Sequence, residues 1–148
     1  MNRTPQLCTF TVANTLLGLE VEHVQEVLRF HDMARVPLAQ PQIEGLINLR
    51  GQIVTAIDMR RRFALPARSE GERPMNVVLT PIHGSVSLLV DDIGDVLDLD
   101  DHRLETPPAT LDPAYHELIR GVYKLDGRLL LLLDPDRAIA LEPEPETP

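Results

Sequence analysis

Two aspartates end apolar runs at matching places in this chain: Asp58 closes Ile53–Ile57 and Asp134 closes Leu129–Leu133. Paired carboxylates can serve hydrolysis when they share one proton across a cleft. Such a dyad needs a small hydroxyl residue and a glycine after each Asp, so that the backbone can approach closely. Met59-Arg60 and Pro135-Asp136 follow instead. The competing reading is local, with each carboxylate accepting amide hydrogen bonds at the start of a helical turn. Capping is the favoured reading, and a β-barrel hydrolase using Asp58 and Asp134 is its rival.

No other residue set supports catalysis. The histidines at 23, 31, 83, 102 and 116 show no i, i+4 pair and no metalloprotease spacing, so no metal is expected. Ser69, Ser85 and Ser87 lack the Gly-x-Ser-x-Gly setting of a nucleophile elbow. Neither a P-loop nor a Gly-x-Gly-x-x-Gly run occurs, so no nucleotide cofactor is expected. Cys8, the only cysteine, excludes an intramolecular disulfide and reads as a small apolar residue of an N-terminal strand. Arg60-Arg61-Arg62 is expected to be the solvated face of a short helix, with a patch for an acidic partner, or for the protein's own acidic half, as the alternative. Arg50 stands apart. It sits between Leu49 and Gly51 at a predicted hairpin tip, where a planar five-donor fork suits recognition of carboxylates and carbonyls.

Charge narrows the partners. The 148 residues carry a net charge of −9, with 8 Arg against 7 acids in residues 1–70 and 6 bases against 16 acids in 71–148. Such a surface repels polyphosphate, so protein partners are expected and nucleic acid is not. With no Trp and only 2 Tyr and 3 Phe, the core must be built from Leu, Val and Ile, while 13 prolines argue against a helical bundle. No signal-peptide pattern opens the chain, and no apolar run approaches bilayer length. A cytoplasmic protein without direct membrane insertion is expected.

Short branched or leucine-rich runs at Leu7–Val12, Leu16–Val21, Ile53–Ile57, Val77–Leu79, Val86–Val90 and Leu129–Leu133 read as strands. Turns are expected at Asn14-Thr15, Arg50-Gly51, His83-Gly84 and Asp126-Gly127, the last as a type I′ hairpin. The chain also repeats itself. Glu44–Phe63 lies over Arg120–Ile139 at an offset of 76, matching Gly45 with Gly121, Gly51 with Gly127 and Asp58 with Asp134. Leu19–Leu28 lies over Leu88–Leu97 at an offset of 69, matching Val24 with Ile93 and Val27 with Val96. Each half runs strand, strand, an acid-rich kink, a connector, then a hairpin into an apolar strand ending at Asp. Single helical turns are expected at Pro41–Glu44 and after Asp112-Pro113, and a short helix over Pro135–Leu141. Two similar subdomains follow, approximately 1–68 and 69–141 with strands free to cross over, and a disordered acidic Pro/Glu tail at 142–148.

The stretch Gly45–Phe63, with its Asn-Leu-Arg-Gly hairpin and trailing Asp, resembles the signature of the CheW family, the coupling proteins of bacterial chemotaxis. Gly18–Val27 with its Val-Gln-Glu-Val core, Leu88–Leu97 and Gly121–Asp134 agree in the family's order. The chain departs from the family pattern in having Thr55-Ala56 where Pro is usual, and Ala109-Thr110 in the loop Glu105–Thr110. The resemblance implies a mainly β fold of two five-stranded SH3-like barrels that share a core, with short helical turns. It implies a non-catalytic adaptor, without cofactor, that links the cytoplasmic tip of chemoreceptors to the regulatory domain of the histidine kinase CheA at membrane-associated arrays. By motif position, the receptor groove would be lined by Val24, Gly45, Arg50 and Ile93, and the kinase contact would fall at Glu26 and Val27.

Overall fold

Five consecutive leucines, Leu129–Leu133, can form a strand in water only if both faces are covered. In the computed structural model of the chain, which describes residues 6–99 and 102–141, they are. Leu130 and Leu132 point into one small cluster, while Leu131 and Leu133 are buried in a larger one on the opposite face. The period-2 alternation of a strand divides a continuous apolar run between two cores.

Among the described residues, ten strands make two five-stranded sheets. In chain order they are β1 (Gln6–Val12), β2 (Thr15–Glu20), β3 (Val24–Leu28), β4 (Ile43–Leu49), β5 (Gln52–Asp58), β6 (Met75–Leu79), β7 (Val86–Val90), β8 (Asp92–Asp98), β9 (Ile119–Leu125) and β10 (Arg128–Leu133). Three short helices accompany them: α1 (Met59–Arg62), α2 (Pro113–His116) and α3 (Pro135–Ile139). One sheet runs β8-β1-β2-β10-β9 and the other β3-β6-β7-β5-β4. The two orders correspond strand for strand under the sequence repeat. Each contains one parallel pair, β2 with β10 and β5 with β7, at equivalent places.

The sheets do not follow the division near residue 68. The hairpin β1–β2 joins β8–β10, and the hairpin β6–β7 joins β3–β5, so each half of the chain lends its first two strands to the other. The chain passes between sheets twice, through the 3-10 turn Val21–His23 and at Asp91. The larger cluster lies where the sheets meet and contains 17 buried residues, among them Phe10, Leu17, Phe63, Leu88 and Leu131. Only 6 and 4 buried residues form the clusters peculiar to each sheet, so the shared core is the main one. At about 1.5–3 kcal/mol for each large side chain buried, it binds the two units into one.

Several local expectations need correction. The acid-rich kinks are strands, β3 and β8, because both lie on sheet edges where one face can be polar. The first hairpin turns at Ala13-Asn14 rather than Asn14-Thr15, with φ of 46° and 69° and Val12 opposite Thr15. Asp126-Gly127 is not type I′, since only Gly127 has positive φ. Pro41–Gln42 forms a turn without a helix, and β4 begins at Ile43. α3 stops at Ile139 instead of Leu141. The expected tail 142–148 lies outside the described residues.

Candidate docking surface

The hairpin between β4 and β5 turns on two residues, Arg50 and Gly51, with Leu49 paired to Gln52 across them. Both carry positive φ, 52° and 83°, the geometry of a type I′ turn. Asn48 supports it, its Oδ1 accepting from the Gly51 amide at 3.0 Å. Glycine takes this conformation freely, but an arginine there is strained by its Cβ. The side chain explains the choice. Arg50 is 65% exposed and ion-paired with Glu26 of β3. β3 and β4 are opposite edges of their sheet, so this pair spans the open side that the five strands leave.

Glu26 and Val27 follow each other on β3, a strand that among the described residues pairs only with β6. The Val27 side chain faces solvent with 42% of its surface exposed, and Val96, its counterpart on β8, is 58% exposed. Val24 and Ile93 are half-buried on the two different sheets, and both pack against the shared core. Five of the six expected contact residues therefore belong to one sheet, and Ile93 alone comes from the other. The fold joins Arg50 directly to Glu26, two residues that sequence reasoning assigned to different partners.

Gly45 has a visible structural task. A Cβ there would lie 2.7 Å from the Ala34 carbonyl oxygen, because the segment around Ala34 crosses it and pairs with Leu46. Gly121 is used identically: its Cβ would meet the Glu105 carbonyl at 2.7 Å, and Glu105 pairs with Val122. The repeat thus preserves a glycine wherever a strap lies flat on the edge strand.

Asp58 and Asp134 are caps. Asp58 Oδ1 accepts from the Arg60 amide at 3.1 Å, and Asp134 Oδ1 accepts from the amides of Asp136 and Arg137 at 3.0 and 3.2 Å. They close strands of different sheets, and each has its own cations: Arg68 at 2.9 Å from Asp58, and Arg120 at 3.2 Å from Asp134. Desolvation opposes the charge on Asp134, but the two amides and Arg120 outweigh it and hold the carboxyl below the usual range. No shared-proton dyad forms, which removes the hydrolase reading.

The arginine triplet is not a solvated face. Arg60 binds both carboxylate oxygens of Asp91, with Nη2 donating to Oδ2 at 2.7 Å. Arg62 donates to the carbonyls of Arg137, Ala138 and Ala140 at the end of α3. Arg61 is the most exposed of the three and pairs with Glu44. The sequence offered the protein's own acidic half only as the alternative, and it could not name the partners because Asp91 and α3 are distant along the chain. The excess acid of residues 71–148 was the available signal. Asp91, at the second crossing, also accepts the Ala13 amide at 2.7 Å and ion-pairs with Arg68 at 2.9 Å. Burial works to raise its carboxyl, while Arg60, the Ala13 amide and Arg68 pull it lower than an ordinary aspartate. Cys8 is half-buried in β1, and desolvation raises its thiol, which suppresses the reactive thiolate.

No helix among the described residues is long and apolar enough to cross a membrane. Residues 6–142 match the family model described as a CheW-like domain. The chemotaxis protein CheW of Klebsiella aerogenes is 31% identical over 133 residues, which cover 90% of this chain and 80% of the relative. That of Bacillus subtilis is 26% identical over 137 residues, 93% and 88% of the two chains. Among solved structures, the scaffolding protein TtCheW from Thermoanaerobacter tengcongensis superposes with a TM-score of 0.81 at 26% identity, covering 94% of each chain. A doubled five-stranded β unit, matched in order and in shape across nearly its whole length, identifies the chain as a member of the CheW-like family.

Proposed function

We propose that this protein is a non-catalytic scaffold of a chemotaxis-type signalling array, joining the cytoplasmic tip of a chemoreceptor to the regulatory domain of a CheA-type histidine kinase. The observation that carries the reading is Arg50: an exposed arginine kept in a strained turn and tied to Glu26 on a free sheet edge. Strain of this kind persists where the surroundings or a function hold it in place. The receptor would bind along Val24, Gly45, Arg50 and Ile93, and the kinase at Glu26 and Val27. Because Glu26 and Arg50 share one ion pair, the two surfaces meet at a common edge. Relatives named as chemotaxis and scaffolding proteins support the same role; a protein in that role would work in the cytoplasm at membrane-associated arrays.

Purified protein, a receptor cytoplasmic fragment and the kinase regulatory domain from the same organism test this directly by pull-down and calorimetry. Saturable binding to both is expected. Binding to neither cognate partner would refute the proposal. Receptors from the organism's flagellar and non-flagellar systems, assayed in parallel, would show which array it serves.

A further inference from the structure

Nothing in their spacing marks the five histidines as ligands, yet the fold brings two of them together at the first crossing between sheets. His23 ends the 3-10 turn Val21–His23, and His83 ends a second 3-10 turn, Pro81–His83. His23 Nδ1 lies 2.9 Å from His83 Nε2, and His83 Nδ1 lies 3.2 Å from Oδ1 of Asp136 in α3. The His83 side chain is only 6% exposed, so packing sets its orientation.

With both imidazoles neutral, this relay sets both tautomers. An ionised carboxylate can only accept, so His83 carries its proton on Nδ1 and offers a bare Nε2. That nitrogen also can only accept, so His23 carries its own proton on Nδ1. The bare nitrogen of His23 is then Nε2. Metal-ligating imidazoles are oriented in this way, by a partner that accepts from the nitrogen not facing the metal.

Two carboxylates accompany it. One oxygen each from Glu20 and Glu22 and a ring nitrogen of His23 all lie within 4.8 Å of one another. Arg120 occupies Glu20 Oε1 at 3.0 Å, which leaves the second oxygen for a ligand. We propose that Glu20, Glu22 and His23 bind a divalent transition-metal ion of the zinc type, with His83 and Asp136 as positioning residues. One imidazole and two carboxylates are zinc donors at about 2.0–2.2 Å, and they leave a fourth position for water. The Arg120 cation opposes the ion, so the site is of moderate affinity and is not a structural staple. It adjoins Val24, so occupancy stiffens the crossing from which β3 starts.

Titration of the untagged full chain with zinc chloride by calorimetry, together with the visible spectrum of the cobalt(II) form, tests the assignment. One ion per chain is expected. His23→Ala abolishes that binding, and Glu22→Gln weakens it. Asp136→Asn, at a side chain 77% exposed, keeps the fold by circular dichroism and weakens binding about 10- to 100-fold. His83→Ala does the same if it folds. No saturable binding to the wild type, or equal binding to His23→Ala, overturns the proposal.

Discussion

Arg50 and Asp91 show how differently two charged residues can be used. The Arg50–Glu26 pair is exposed on the arginine side, and such pairs contribute about 0.2–1 kcal/mol. Arg50→Ala is therefore expected to shift the thermal midpoint by no more than a few degrees while weakening receptor binding. A large loss of stability would mean that the arginine is structural. Asp91 is enclosed by Arg60, Arg68 and the Ala13 amide, and its carboxyl is lowered in the folded state. A lowered carboxyl binds its proton more weakly folded than unfolded, so its stabilisation is complete above about pH 4. It is lost as the pH falls below that, through the lowered value. Asp91→Asn should flatten the acid limb of a midpoint-against-pH profile below about pH 4. At neutral pH it should cost up to about 3 kcal/mol, the lower end for a broken buried pair, because two guanidiniums lose a counter-charge.

At the scale of elements, the recurring unit is an edge strand, a strap laid across it and a glycine beneath the strap. Gly45 with Ala34 and Gly121 with Glu105 repeat that contact at the same 2.7 Å. Gly45→Val should cost roughly 1–3 kcal/mol, as overpacking does, and Gly121→Val should cost a similar amount. Urea midpoints measure both; a neutral effect at either site would show that the strap moves aside freely. The repeated glycines were legible as repeated letters, but their reason was not, since the carbonyl they accommodate belongs to a loop. The caps were more legible. Asp58, Asp112 and Asp134 each accept amide hydrogen bonds from the turn that follows them, as the Asp-Pro pairs and strand-ending Asp suggested. Capping is a contact over two or three residues, so local sequence carries it.

For the whole molecule, the exchange of hairpins dominates. Residues 6–65 contain β1–β5, but β1 and β2 have their partner strands β8 and β10 in the other half. A chain cut within 66–74 and separated should yield halves without a cooperative unfolding transition, because each lacks strands of both sheets. Mixing the halves should restore the transition, and calorimetry or far-ultraviolet dichroism would record it. An isolated first half that melts cooperatively would contradict the exchanged topology.

Sequence alone determined the mainly β class, the internal repeat, the family resemblance and the helix caps. Each rests on composition or on contacts between near neighbours. Tertiary structure decided which hairpin joins which sheet, why Leu129–Leu133 is apolar on both faces, and where the arginine triplet finds its partners. It also joined Arg50 to Glu26 and brought His23 to His83. The reason is the same in each case: a period of two assigns a side chain to a face, but only the assembled sheets determine what covers that face.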